Sequence, residues 1–88
     1  MYAVVVKVTI GEANASQEAL RNEVVPRVAA APGFVAGYWV ELSEGKGTSI
    51  AVFESEGAAQ AVAGRVEPPA GAPVTIDSVE IGEVVAHA

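Results

Sequence analysis

The 88-residue chain contains no cysteine, so it has no disulfide, no thiolate nucleophile and no thiolate metal ligand. This absence fits a reducing compartment, and the cytoplasm is the expected location. Basic residues are also scarce, since 5 Lys and Arg accompany 11 Asp and Glu and give a net charge of −6. Nucleic-acid affinity depends on neutralising phosphates, so we expect no nucleic-acid partner.

The chain also lacks a long hydrophobic run, although 51% of its residues are hydrophobic. No uninterrupted apolar stretch approaches the roughly 20 residues that cross a bilayer. Residues 1–7 lack the basic segment, apolar stretch and cleavage site of a secretory signal. We therefore expect a soluble protein with no membrane partner.

The length allows one domain over residues 1–88. A chain this short buries only roughly 60 to 65% of the surface that its unfolded form exposes, so burial against a partner copy would add stability.

The first half of the chain predicts a strand, a helix and a second strand. In residues 2–10, the even-numbered positions form an apolar core face and the odd-numbered ones a mixed face. Leu20, Val24 and Val28 recur every four residues and predict a helix over about residues 15–31. Pro26 lies inside this helix and cannot donate a backbone hydrogen bond, so we expect a bend or a change of helical geometry there.

The second half predicts a hairpin, a helix and a long last strand. Residues 34–42 and 48–54 read as strands joined by a turn over 43–47. Ser55 is a plausible cap for a helix to about residue 66, and the proline-rich residues 67–73 follow it. The apolar positions of the last strand, which reaches about residue 86, change parity near Asp77 and Ser78, which predicts a bulge.

The order strand, helix, strand, strand, helix, strand predicts an α+β fold, the ferredoxin-like β-α-β-β-α-β plait. In this plait a four-stranded antiparallel sheet carries two helices on one face. The opposite sheet face and the edge of the last strand stay open. These open surfaces predict a homodimer.

Two segments carry a resemblance to a known group, Pro32–Trp39 with its Pro-Gly-Phe turn and Phe53–Ala59 with its aromatic-Glu-Ser start. On these segments the chain resembles the dimeric α+β barrel superfamily, which includes the antibiotic-biosynthesis-monooxygenase-like proteins. The resemblance implies that two open sheet faces pack into a shared barrel. That group also includes monooxygenases acting without a cofactor, haem-degrading enzymes and lactone isomerases, so the fold selects no function.

The haem-degrading and quinol-oxidising members of that group rely on Asn, Trp, His or Tyr side chains facing the barrel interior. Here Asn14 and Asn22 fall near the first helix, and His87 is one residue from the terminus. None of those catalytic roles can be carried over, and no cofactor is expected. The acidic residues lack metal-ligand spacing, so no metal site is expected either.

Strand parity places four candidate ligand-binding residues on the open face: Lys7, Trp39, Glu41 and Phe53. Lys7 would orient an anionic group, Glu41 would accept a proton, and the two aromatic rings would suit a planar ligand. Alternatively, the aromatic rings fill a dimer core while the two charged residues pair across strands. Tyr38, of opposite parity, is expected to face the helices.

Three hypotheses for function follow. The first is a homodimer that binds a small apolar or aromatic molecule between the sheet faces, without an evident catalytic group. The alternative is a cofactor-independent monooxygenase or isomerase acting on an aromatic or polyketide-like substrate. The third is a structural module whose last strand pairs with a different protein.

Overall fold

The structure, a computed structural model, describes residues 1–11, 17–66 and 74–88. Its four strands are β1 (Tyr2–Ile10), β2 (Phe34–Glu41), β3 (Lys46–Phe53) and β4 (Val74–Glu83). They form one antiparallel sheet in the order β2-β3-β1-β4. The two helices are α1, over residues 17–29, and α2, Glu56–Ala63. The predicted ferredoxin-like α+β plait is confirmed.

Both helices cover the face of the sheet that carries the even-numbered residues of β1. Val4 is 2% exposed and packs in one cluster with Val6, Ala51, Phe53 and the α2 residue Ala59. Partly buried side chains of both helices complete this cluster, among them Val28 and Val62. The predicted core face of β1 is therefore confirmed.

Helix α1 changes geometry immediately before Pro26. Leu20–Val24 is π-helical, Val25–Ala29 is α-helical, and the Val25 N–H bonds to the carbonyl of Leu20. Pro26 has no N–H, and its ring would crowd the carbonyl four residues earlier in a regular α-helix. The wider π turn, with its hydrogen bond from Val25 to Leu20, lets the helix continue past the proline, which has no N–H to donate. The predicted change at Pro26 is confirmed, whereas the predicted helix start near residue 15 lies outside the described residues.

The β2–β3 hairpin turns through two residues with positive φ, Glu44 at 62° and Gly45 at 73°. The Lys46 N–H donates to the Ser43 carbonyl at 3.3 Å, as in the two-residue turns that match the twist of a hairpin. The Ile10 N–H donates to the Gly45 carbonyl at 2.6 Å and holds the turn against the end of β1. Pairing therefore continues to Lys46, two residues before the predicted start of β3.

Strand β4 lies at one edge of the sheet and contains an extra residue. Lys7 pairs with Ser78 while Val8 pairs with Ile76, so Asp77 has no partner in β1. The Asp77 carboxylate accepts a hydrogen bond from Thr9 Oγ1 at 2.7 Å. The predicted bulge is confirmed, although the strand ends at residue 83 rather than about 86. The proline-rich connection 67–73 lies outside the described residues.

Helix α2 begins at the predicted cap, since Ser55 Oγ accepts from the Ala58 N–H at 3.2 Å. It ends at Ala63, three residues earlier than predicted, and Gly64 follows as its C-cap.

Replacing Gly47 by alanine should destabilise the fold. Gly47 is buried, and a Cβ atom there would lie 3.0 Å from Ile10 Cδ1 and 3.1 Å from Val8 Cγ2. Overpacking of this kind costs about 1–3 kcal/mol. Urea unfolding at fixed protein concentration would measure the loss, with Gly82→Ala as control, because a Cβ at Gly82 meets nothing within 4 Å. Equal stability of both variants would contradict the tight packing at Gly47.

Candidate functional site

The register between β1 and β3 decides which side chains lie under the helices. Tyr2 pairs with Phe53 and Val4 pairs with Ala51, so the even-numbered residues of β1 share a face with the odd-numbered residues of β3. The sequence prediction paired odd with odd and placed Lys7 and Phe53 on one face. That placement is wrong, because alternation within a strand does not reveal its register with the next.

Two of the four predicted ligand-binding residues lie away from any shared site. Phe53 is 0% exposed and packs edge-to-face on Phe34, with ring centroids 5.9 Å apart. Its ring fills the helix-side core. Lys7 is exposed and pairs with Thr48 and Ser78 on the helix-free face.

The other two predicted residues, Trp39 and Glu41, lie on the helix side of the sheet. Trp39 pairs with Ser49, which in turn pairs with the core residue Val6. Lys7 and Glu41 therefore point to opposite faces and cannot act on one ligand as predicted. Tyr38 lies on the helix-free face and is 64% exposed, so its predicted contact with the helices is also wrong.

A cavity of about 500 Å³ lies between α1 and the sheet. Aliphatic side chains from both layers line it, including Leu20 and Val24 of the π-helical segment and Val8 of β1. Trp39 is the aromatic residue among the described lining residues.

Small residues form the helix-facing row of β3 at the cavity. Gly47, Ser49 and Ala51 occupy alternate positions of this strand and all line the cavity. Val8 and Ile10 pack directly against Gly47, and Ala51 also belongs to the core cluster. This run of small residues at alternating positions is the sequence signal that would have located the cavity.

The indole ring of Trp39 lies along β2 over Gly37. A Cβ atom at Gly37 would be 2.8 Å from Trp39 Cη2 and 2.9 Å from Cζ3. Glycine at this position therefore gives the ring its place at the wall of the cavity, and any larger residue would displace it.

A hydrogen bond joins α1 to the end of β2 beside the cavity. Gln17 Nε2 donates to Glu41 Oε2 at 2.8 Å, and both residues line the cavity. Glu41 is the one acidic residue among the lining residues that the structure describes. Three cationic residues also line it, Arg21, Arg27 and Arg65, and all three are exposed to solvent.

A second concavity of about 370 Å³ lies between the end of α1 and α2. It shares Arg27, Ala31, Val62 and Arg65 with the first cavity. These four residues therefore border both spaces, and Arg27 and Arg65 lie where the two spaces meet.

The lining residues do not offer the usual axial ligands of a haem iron. Among the described residues around the cavity there is no histidine, cysteine, methionine or tyrosine. His87 and Asn22 are exposed and line neither concavity, and Asn14 lies outside the described residues. Within the described ranges, no group of three or more His, Cys, Asp or Glu residues could hold a metal ion.

The architecture is the ferredoxin-like α+β plait, with a four-stranded antiparallel sheet and two helices on one face. The chain is similar to a crystal structure of MhuD, an arginine-to-serine mutant with two manganese protoporphyrin IX molecules bound per active site. The TM-score is 0.70 at 20% sequence identity, and the match covers 100% of this chain and 98% of that one. The predicted resemblance is thereby confirmed for the fold.

Comparisons of sequence give no further relative, because no protein-family model and no curated protein matches the chain. In the part of the chain that the structure describes, no helix is long and apolar enough to cross a membrane. The cytoplasmic location stays a prediction.

Substitution of Phe53 should act on stability because the ring belongs to the core. Phe53→Ala would leave a cavity beside Phe34 and Ala59 and should cost about 3–5 kcal/mol of unfolding free energy. Val85→Ala is the control, since Val85 is 91% exposed and should change stability by less than about 0.5 kcal/mol. A Phe53→Ala variant as stable as the native protein would contradict the core position.

Proposed function

We propose that the protein binds a small apolar or aromatic molecule in the cavity between α1 and the sheet. The cavity itself carries this proposal, because its volume of about 500 Å³ falls in the range of small-molecule sites, roughly 300–1,000 Å³. Its walls are mainly aliphatic, with Trp39 for stacking and few polar groups. The binding space lies on the helix side of the sheet instead of between two sheet faces.

Burial energetics support a ligand in this space. Apolar side chains that line a concave surface gain contacts and lose exposure to water when an apolar molecule covers them. A bound apolar molecule would restore contacts to Leu20, Val24 and Trp39, which line the space without filling it.

Binding without catalysis fits the polar groups better than the enzyme alternative does. The cavity faces a single described carboxylate, Glu41, and that carboxylate already accepts a hydrogen bond from Gln17. Lys7, which was predicted to orient an anionic group, lies on the other side of the sheet. A monooxygenase or isomerase reaction would have to proceed with Glu41 alone as the proton acceptor.

The solved structure with two manganese protoporphyrin IX molecules per active site shows that a protein of this fold binds planar aromatic ligands. That supports a planar ligand here. The lack of a histidine, cysteine, methionine or tyrosine in the described lining favours an organic ligand held by packing, without a bond to a metal.

Ligand binding should change the fluorescence of Trp39, which is the only tryptophan of the chain. Titration with naphthalene-type compounds should give a saturable change in emission, because the indole lines the cavity. Val24→Phe should weaken binding about tenfold by filling part of the space, and calorimetry would measure this loss.

Ala29→Phe is the matched control for Val24→Phe. Ala29 is an exposed residue of the same helix and lines neither concavity, so binding should be unchanged. Loss of binding in both variants, or in neither, would place the ligand elsewhere.

We also propose that two copies associate through their helix-free sheet faces. This face exposes large apolar side chains, among them Tyr38, Val40 and Ile50 at 64%, 45% and 39% exposure. Lys7 and Glu80 add one charge of each sign to the same face. Two-fold association presents the same patch on both copies, and an apolar patch of this kind is suited to it.

Ile50→Asp should dissociate the dimer, because it would bury an unpaired carboxylate at the centre of the apolar patch. Sedimentation velocity at micromolar concentration should show the native protein as a dimer and this variant as a monomer. Gln60→Glu adds the same charge to an exposed position on α2 and should leave the dimer intact. A native chain that sediments as a monomer would overturn the homodimer.

A further inference from the structure

The cationic residues of the chain are sorted by type between the two sides of the sheet. All three arginines, Arg21, Arg27 and Arg65, line the cavity under the helices. Both lysines, Lys7 and Lys46, are exposed residues at helix-free positions, where Lys46 Nζ donates to Thr9 Oγ1 at 3.0 Å. Arg21 and Arg27 belong to α1 and Arg65 follows the end of α2, so no single helix face accounts for their common position at the cavity.

The charge around the cavity has the opposite sign to that of the whole chain. The chain carries a net charge of −6, whereas the described residues around the cavity bring three positive charges and one negative charge. The single carboxylate, Glu41, is engaged by Gln17 at 2.8 Å. The side-chain hydrogen bonds formed among the described residues involve none of the three guanidinium groups.

Guanidinium groups around an apolar space are suited to one kind of ligand group. An arginine presents a planar set of donors that matches a carboxylate through two parallel hydrogen bonds, which a lysine ammonium cannot do. Arg27 and Arg65 are exposed and border both concavities, so they lie at the solvent-exposed opening where the two spaces meet.

We infer that the ligand is an amphipathic anion, an aromatic or polycyclic carboxylic acid. Its apolar body lies in the cavity, and Arg27 and Arg65 bind its carboxylate at the opening, while Arg21 adds positive potential. The inference rests on the proposed ligand-binding function and narrows the class of ligand. The valine and leucine side chains of the cavity favour a ligand with a hydrophobic body, and the guanidinium groups favour a ligand with a negative charge.

The test compares two probes of equal shape, 2-naphthoic acid and its neutral amide, 2-naphthamide, by isothermal titration calorimetry at neutral pH. At low salt the acid should bind about tenfold more tightly than the amide. Raising the ionic strength from about 0.01 M to about 1 M shortens the Debye length from about 30 Å to about 3 Å. The preference for the acid should shrink accordingly, while amide binding should not weaken.

The double variant Arg27→Gln with Arg65→Gln should remove the preference for the acid and leave the affinity for the amide within about twofold. Unchanged amide binding also shows that the variant is folded and that its cavity is intact. The control is Lys7→Gln with Lys46→Gln, which makes the same change of charge on the helix-free side. This control should keep the preference for naphthoic acid.

The outcomes separate this inference from the proposed function. Equal binding of acid and amide by the native protein would overturn the anion inference and leave ligand binding in the cavity intact. A preference for the acid that survives the arginine double variant, or that the lysine control also abolishes, would overturn it as well. Binding of neither probe would overturn the proposed function and this inference together.

Discussion

The pairing of β1 with β3 is the constraint on which the rest of the molecule depends. It places Phe53 opposite Tyr2 and so directs the row Gly47, Ser49 and Ala51 toward the helices. With this register, the small side chains lie below α1 and the one large ring lies at the end of the row. A shift by a single residue would put Ile50 and Val52 under the helices instead, and the space between the layers would be filled.

The layer between helices and sheet therefore has a packed end and a hollow end. At the packed end, Phe53 meets Phe34 and the fully buried Ala59 of α2, so close contact of α2 with the sheet supplies much of the core. At the other end, residues of the π-helical part of α1 and the small residues of β3 line the cavity. The core cluster and the cavity thus lie at different ends of the same layer.

Local signals in the sequence predicted the elements well because each one rests on chemistry confined to a few residues. Pro26 cannot complete a helical hydrogen bond, Ser55 can accept one at a helix start, and the parity change at Asp77 requires an extra residue. The register was not predictable in the same way. Strand β3 has apolar residues in both alternating sets, such as Ile50 in one and Phe53 in the other, so alternation could not identify its core face.

Two of the four predicted site residues lie at the cavity, and the other two do not because the register was not predictable. Trp39 and Glu41 do line one cavity, but Lys7 and Phe53 were joined to them by the wrong register. Arg21 and Arg27 went unnoticed because they lie off the apolar stripe of α1. Charged residues beside the apolar stripe of a helix are normally expected to face solvent. The structure shows that Arg21 and Arg27 are exposed and also border the cavity.

The Gln17–Glu41 hydrogen bond bears on how firmly α1 is held against the sheet. It is the one side-chain hydrogen bond between α1 and the sheet within the described residues, and it lies at an exposed site. Elsewhere among the described residues, aliphatic side chains such as Val28 connect the helix to the core, and these contacts are non-directional. A shift of α1 along the sheet would therefore break no other side-chain hydrogen bond among the described residues.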